Sequence, residues 1–180
     1  MVAFEPDQRN FLLPSRNISS NGIDNVTVIQ KIVSDYEGMK QLYLPSHSGE
    51  HSIVRKSERS TCCASITIDR YVLETDFIYV DLMRNDAEDS EPLVVEETSH
   101  VIAECSYAIV MEFQPRLWPE TERDLLIFRN ELEKYTIYII INSPFLIKKV
   151  TLSYLFAITG RNRSVMTNLL LVPKQRTRFR

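Results

Sequence analysis

The stretch that most constrains the fold is Tyr135–Val172. Ile137, Ile139 and Ile141 alternate with Thr136 and Asn142. Val150, Leu152, Tyr154, Phe156 and Ile158 alternate with Thr151, Ser153 and Thr159, and Met166–Val172 is a third apolar run. Period-two alternation marks a strand with one buried face. Asn142-Ser143-Pro144 and Gly160-Arg161-Asn162 supply turn chemistry between the runs. The pattern predicts three consecutive antiparallel strands, a meander, forming half of a hydrophobic core.

The same stretch is electrically one-sided. From Lys134 to Arg180 there are nine Lys or Arg and no Asp or Glu. The other 12 basic residues and all 24 acidic residues precede it. The chain's net charge of −3 therefore hides a first part at −12 and a last part at +9.

At 180 residues one domain is expected, long enough to fold without disulfides or metal. The expected organisation is an extended N-terminal arm over 1–22, a single β-rich domain over 23–173 and a basic C-terminal tail over 174–180. Pro6 and Pro14 break the arm and Ser15–Gly22 is polar, with Phe4, Phe11, Leu12 and Leu13 as anchors. Asp24–Tyr43 has helical spacing at Ile29, Ile32, Val33, Tyr36, Met39 and Tyr43. Its β-branched residues make a strand over Val26–Val33 the alternative. Thr61–Asp69 and Phe77–Met83 read as strands. Val101–Phe113 reads as a long strand whose odd positions are all apolar. Thr121–Lys134 reads as a short helix capped by Thr121. The fold class is thus mainly β (α+β): an antiparallel two-layer sheet or sandwich of six to eight strands with one or two short helices.

Cys62, Cys63 and Cys105 are too few, and oddly numbered, for a disulfide framework. The N-terminal residues lack the basic and apolar regions of a secretory signal, and the apolar runs are interrupted by Asn142, Lys148 and Lys149. The expected location is intracellular, in the cytoplasm or within a viral particle. The sequons at Asn17, Asn25 and Asn162 are then accidental.

Four constellations hold residue types that could carry chemistry or contacts. His47, His51, Cys62 and Cys63 offer zinc-type ligands, but adjacent cysteines on a strand point to opposite faces. Cys105 lies on the apolar face of its predicted strand, away from His100, and reads as a core residue rather than a nucleophile. Asp81, Asp86, Glu88, Asp89, Glu91, Glu96 and Glu97 form an acidic cluster without the glycine a calcium loop needs. It reads as a solvated loop, with Asp86, Glu88, Asp89 and Glu91 as its contact surface. The meander brings Lys148 and Lys149 to the end where the tail, Lys174, Arg176, Arg178 and Arg180, leaves the sheet. No glycine-rich phosphate loop and no nucleophile elbow occurs.

These features favour a non-catalytic structural or assembly protein without cofactor. It self-associates or packs in a larger complex, basic end against acidic loop, as a viral matrix- or capsid-like subunit also would. The alternative is an accessory protein that makes weak contact with nucleic acid or anionic membrane through the basic patch.

Overall fold

The computed structural model describes residues 1–46, 50–75, 80–88, 90–97, 108–114, 125–142, 145–161 and 167–174. Within them the chain is mixed α/β, rich in strand, with short helices. Ten strands pair into sheets of two, five and three strands, and there are five helices. Both numbers exceed those expected, and three of the strand pairs are parallel rather than antiparallel.

The N-terminal segment is not an extended arm. β1 (Val2–Phe4) pairs in parallel with β2 (Thr27–Ile29), and α1 (Gln8–Ser20) connects them. Asp7 caps α1, its Oδ1 accepting from the Arg9 and Asn10 amides at 3.0 Å. Pro14 lies inside the helix without ending it. Its ring enforces a helix-compatible φ and the local cost is a missing donor. The stop comes at Gly22, at φ +62°, where the Gly22 and Ile23 amides donate back to Ser19 and Ile18 carbonyls. That pattern closes a helix C-terminus and favours glycine, which has no Cβ to clash.

The helical spacing over Asp24–Tyr43 does not produce a helix. The segment forms β2, β3 (Ile32–Val33) and β4 (Gly38–Tyr43), in keeping with the β-branched alternative over its first half. Tyr36 and Met39, two members of the supposed apolar face, are exposed. β5 (Ser60–Ile66), a strand as the alternation at Thr61–Asp69 predicted, lies between β3 and β4, and α2 (Ile68–Glu74) takes up the last two residues of that run. Beside this sheet Asp35 accepts hydrogen bonds from Lys40 and from Ser34 Oγ. Burial alone would raise the Asp35 pKa, but these bonds override it and hold it at about 2, against 3.8 for the free carboxyl. A lowered folded-state pKa stabilises the fold above the free value and ceases to do so as pH falls through the folded one. Asp35→Asn should therefore cost about 1–2 kcal/mol near neutral pH. The deficit against wild type should vanish between about pH 4 and pH 2 in thermal melts followed by circular dichroism.

The large sheet holds the core. Its order is β6 (Met83–Asn85), β7 (Ile109–Phe113), β10 (Thr167–Pro173), β8 (Tyr135–Asn142) and β9 (Phe145–Val150). Ile109, Met111 and Phe113 from β7, Leu169 and Leu171 from β10, and Ile137 from β8 are buried together. Val95 of α3 (Glu91–Glu97), Phe128 and Leu132 of α4 (Leu125–Leu132), and Leu155 of α5 (Leu152–Arg161) complete the cluster. The odd-position pattern of Val101–Phe113 holds over 109–113; residues 101–107, with Cys105, lie outside the described residues, as does the cap expected at Thr121.

The second strand of the expected meander is a helix. Leu152–Arg161 carries a helical apolar set, Leu152, Leu155 and Phe156, as well as the alternating one. Leu155 is fully buried whereas Tyr154, expected inside, is exposed. Thr151 Oγ1 accepts from the Tyr154 amide at 3.1 Å and caps the helix. With α5 as crossover, β10 runs parallel to β9 and inserts between β7 and β8. The last strand is therefore central, and the three runs are not a meander.

Candidate interaction site

Of the interaction residues expected from sequence, those of the basic group are rearranged. Lys148 and Lys149 are not at a turn. They lie within β9, opposite Ile139 and Tyr138 of β8. β10 runs antiparallel to β8, so Pro173 is level with Tyr135, and the Lys174 amide donates to the Lys134 carbonyl at 2.9 Å. The chain thus leaves the sheet at the Tyr135 end, opposite to the end the meander implied. Arg176, Arg178 and Arg180 lie outside the described residues.

Among the described residues β9 is an edge strand of the large sheet. Phe145, Leu146, Ile147, Lys148 and Lys149 are all exposed, the first three at 73%, 50% and 44%. In an antiparallel pair every second residue turns both its N–H and its C=O away from its neighbour, so this edge offers open backbone donors and acceptors. Long apolar edges are a template for another strand. Lys148 and Lys149 leave opposite faces, with Lys148 Nζ 5.8 Å from the Tyr154 ring centroid on α5.

Beside the strand is an open cleft of about 460 Å³. Arg129 of α4, Lys149 of β9 and Lys174 line it, together with Thr136, Thr151, Ser153 and Glu133. The three cations come from α4, β9 and the residue after β10, and none makes an ion pair among the described residues. Arg129 instead stacks on the Phe156 ring at 5.7 Å. Lys149 and Lys174 thus line one cleft, although the chain leaves the sheet at the end opposite to the one expected. Arg129 was missed because it precedes the basic segment and reaches the cleft only through the packing of α4.

The acidic group divides. The acidic loop expected around Asp86–Glu91 is not wholly solvated: Asn85, Ser90 and Glu91 are buried. Glu91 opens α3, and its Oε1 accepts from the Ala87 amide at 3.0 Å. Its charge is spent inside the turn, next to the positive end of the helix dipole, so it is no contact residue. Asp86 is exposed, paired with Arg84 at 2.6 Å. Glu88 is half-buried, paired with Arg55 at 3.2 Å. Asp86, Glu88 and Glu112 of β7 bring carboxylate oxygens within 4.8 Å of one another. Asp89 lies outside the described residues. This group flanks β6, the opposite edge of the large sheet.

Of the cysteine and histidine candidates, His47 lies outside the described residues. Cys62 is exposed and Cys63 half-buried, its thiol donating to the Pro6 carbonyl at 3.6 Å, so the pair points to opposite faces of β5. Burial pushes the Cys63 thiol pKa up, away from the thiolate that a nucleophile or metal ligand needs.

No family of known proteins, no curated protein and no solved structure matches this chain. No helix among the described residues is long and apolar enough to cross a membrane.

Proposed function

We propose that the protein is a non-catalytic assembly subunit whose contact surface is the open edge of its large sheet. The observation that carries this reading is β9, whose first five residues are all exposed and three of them large and apolar. Scattered exposed apolar side chains are ordinary on a surface, but a contiguous set on a strand with open backbone groups marks an interaction site. Lys148 and Lys149 on the same strand give the site a sign and favour an acidic counterpart. Sedimentation of the purified chain, alone and over a concentration series, tests the reading: growth of large species is expected, and a monomer at every concentration contradicts it.

The cleft favours a second reading, binding of a phosphate-bearing polyanion. Arg129, Lys149 and Lys174 surround the start of α5, where the Leu152 and Ser153 amides have no acceptor among the described residues. Helix N-termini flanked by cations suit anions. Arg129→Glu with Lys149→Glu should weaken binding of a short single-stranded RNA at low salt at least about tenfold. Equal binding by the variant contradicts this reading.

A further inference from the structure

Resting on the assembly reading, the topology identifies the partner: we infer that the β9 edge of one copy pairs with the β6 edge of the next, continuing the large sheet from subunit to subunit. Among the described residues β6 and β9 are the two edges of one five-stranded sheet. β6 runs parallel to β7, β7 antiparallel to β10, β10 antiparallel to β8 and β8 antiparallel to β9. β6 and β9 therefore run in opposite directions. A second copy placed beside the first without turning the sheet over meets it in antiparallel register, the stronger mode of pairing.

Charge separates this arrangement from the symmetric one. Joining β9 to β9 of another copy is also antiparallel, but it gathers Lys148 and Lys149 of both chains at one seam. Like charges opposed across strands destabilise. The segment that carries the β6 edge instead exposes Asp81 before the strand and Asp86 after it, with Glu88, paired to Arg55, and Glu112 behind Asp86. Its Arg84 is held by Asp86. It also exposes a large apolar side chain, Leu82 at 58%, to meet the apolar half of β9. The contact is heterologous: each copy uses both edges, so it propagates into rings or filaments.

A charge exchange tests this. One variant is Lys148→Glu with Lys149→Glu, the other Asp81→Lys with Asp86→Lys; all four side chains are exposed, so the fold should be retained, which circular dichroism checks. Each variant alone opposes like charges at every contact and should self-associate at least about tenfold more weakly than wild type. An equimolar mixture restores opposite charges at every contact, in alternation, and should assemble nearly as wild type does. Wild-type association retained by the Asp81→Lys/Asp86→Lys variant overturns the inference while leaving assembly intact, and symmetric β9 pairing gives that result. A mixture no better than either variant alone also overturns it. A wild-type chain that never self-associates overturns both the inference and the reading beneath it. Carbodiimide coupling of mixed light and heavy wild-type chains gives an answer independent of any variant. Links between chains joining Lys148 or Lys149 to Asp81 are expected, because the antiparallel register that sets Leu82 against the apolar half of β9 brings Asp81 to the lysines, and associated protein lacking them overturns the pairing.

Discussion

Leu155→Ala should destabilise the protein by about 3 kcal/mol, while Tyr154→Ala should change its stability by less than about 1 kcal/mol. Leu155 is fully buried against the sheet from the inner face of α5, and its truncation leaves a cavity that neighbours from three strands and two helices close only partly. Tyr154 is exposed at 47% and contributes one ring under Lys148. For a domain of this size the loss at Leu155 corresponds to a fall of roughly 6–12 °C in Tm. The pair distinguishes the helix from the strand read in the sequence, since alternation puts Tyr154 inside and Leu155 outside. Thermal melts of the two variants showing the larger loss at Tyr154 would restore the strand and remove the crossover that makes β10 central.

Phe145→Ser with Ile147→Ser should leave Tm within a few degrees of wild type and lower self-association at least about tenfold. Both side chains share one face of β9 and are largely in solvent in the isolated chain, so folding gains little from them. Their value lies in a contact that buries them. Removing two apolar anchors from a contact core commonly costs more than an order of magnitude in affinity. Light scattering against concentration, paired with a melt, reads both quantities. Unchanged association with unchanged Tm would mean that the apolar half of β9 contacts nothing; a large fall in Tm would mean that it belongs to the subunit's own core.

The sequence made β5, β7, β8, β10 and α4 legible because each has one periodicity and no competitor. Ile109, Met111 and Phe113 alternate cleanly and are all fully buried. The stretch Leu152–Ile158 satisfies both period two and period 3.6, and alternation alone could not see that Leu155 belongs to the helical set. What decides between them is Thr151 as a cap and the room above β8 and β10 for a crossover. Asp24–Tyr43 fails for the converse reason: its helical spacing is spread over strands whose β-branched residues fit a pleated surface better. At the N-terminus Ser15–Gly22 read as the polar run of an arm and Pro14 as a breaker, although one missing amide inside a 13-residue helix is tolerated.

The candidate site was half legible. The segregation of charge along the chain is a property of sequence, and Lys149 and Lys174 do meet. Their meeting place is not, because it follows from β10 inserting beside β8. The open edge was invisible for the same reason: the expected meander puts Lys148 and Lys149 at a turn and starts the next strand at Val150, and only the sheet order shows β9 as a strand with a neighbour on one side among the described residues. Glu91 shows the limit of reading charge runs as solvated surface, since a helix start can draw one carboxylate inward.

Sedimentation velocity of the full chain, with no other component, over a concentration series at low and at high salt tests the assembly reading most directly. Contacts between a basic and an acidic sheet edge should give a weight-average sedimentation coefficient that rises with concentration without levelling at a dimer. The rise should weaken as salt shortens the screening length below about 8 Å. A single monomeric species at all concentrations and both salts would contradict assembly through the open sheet edge.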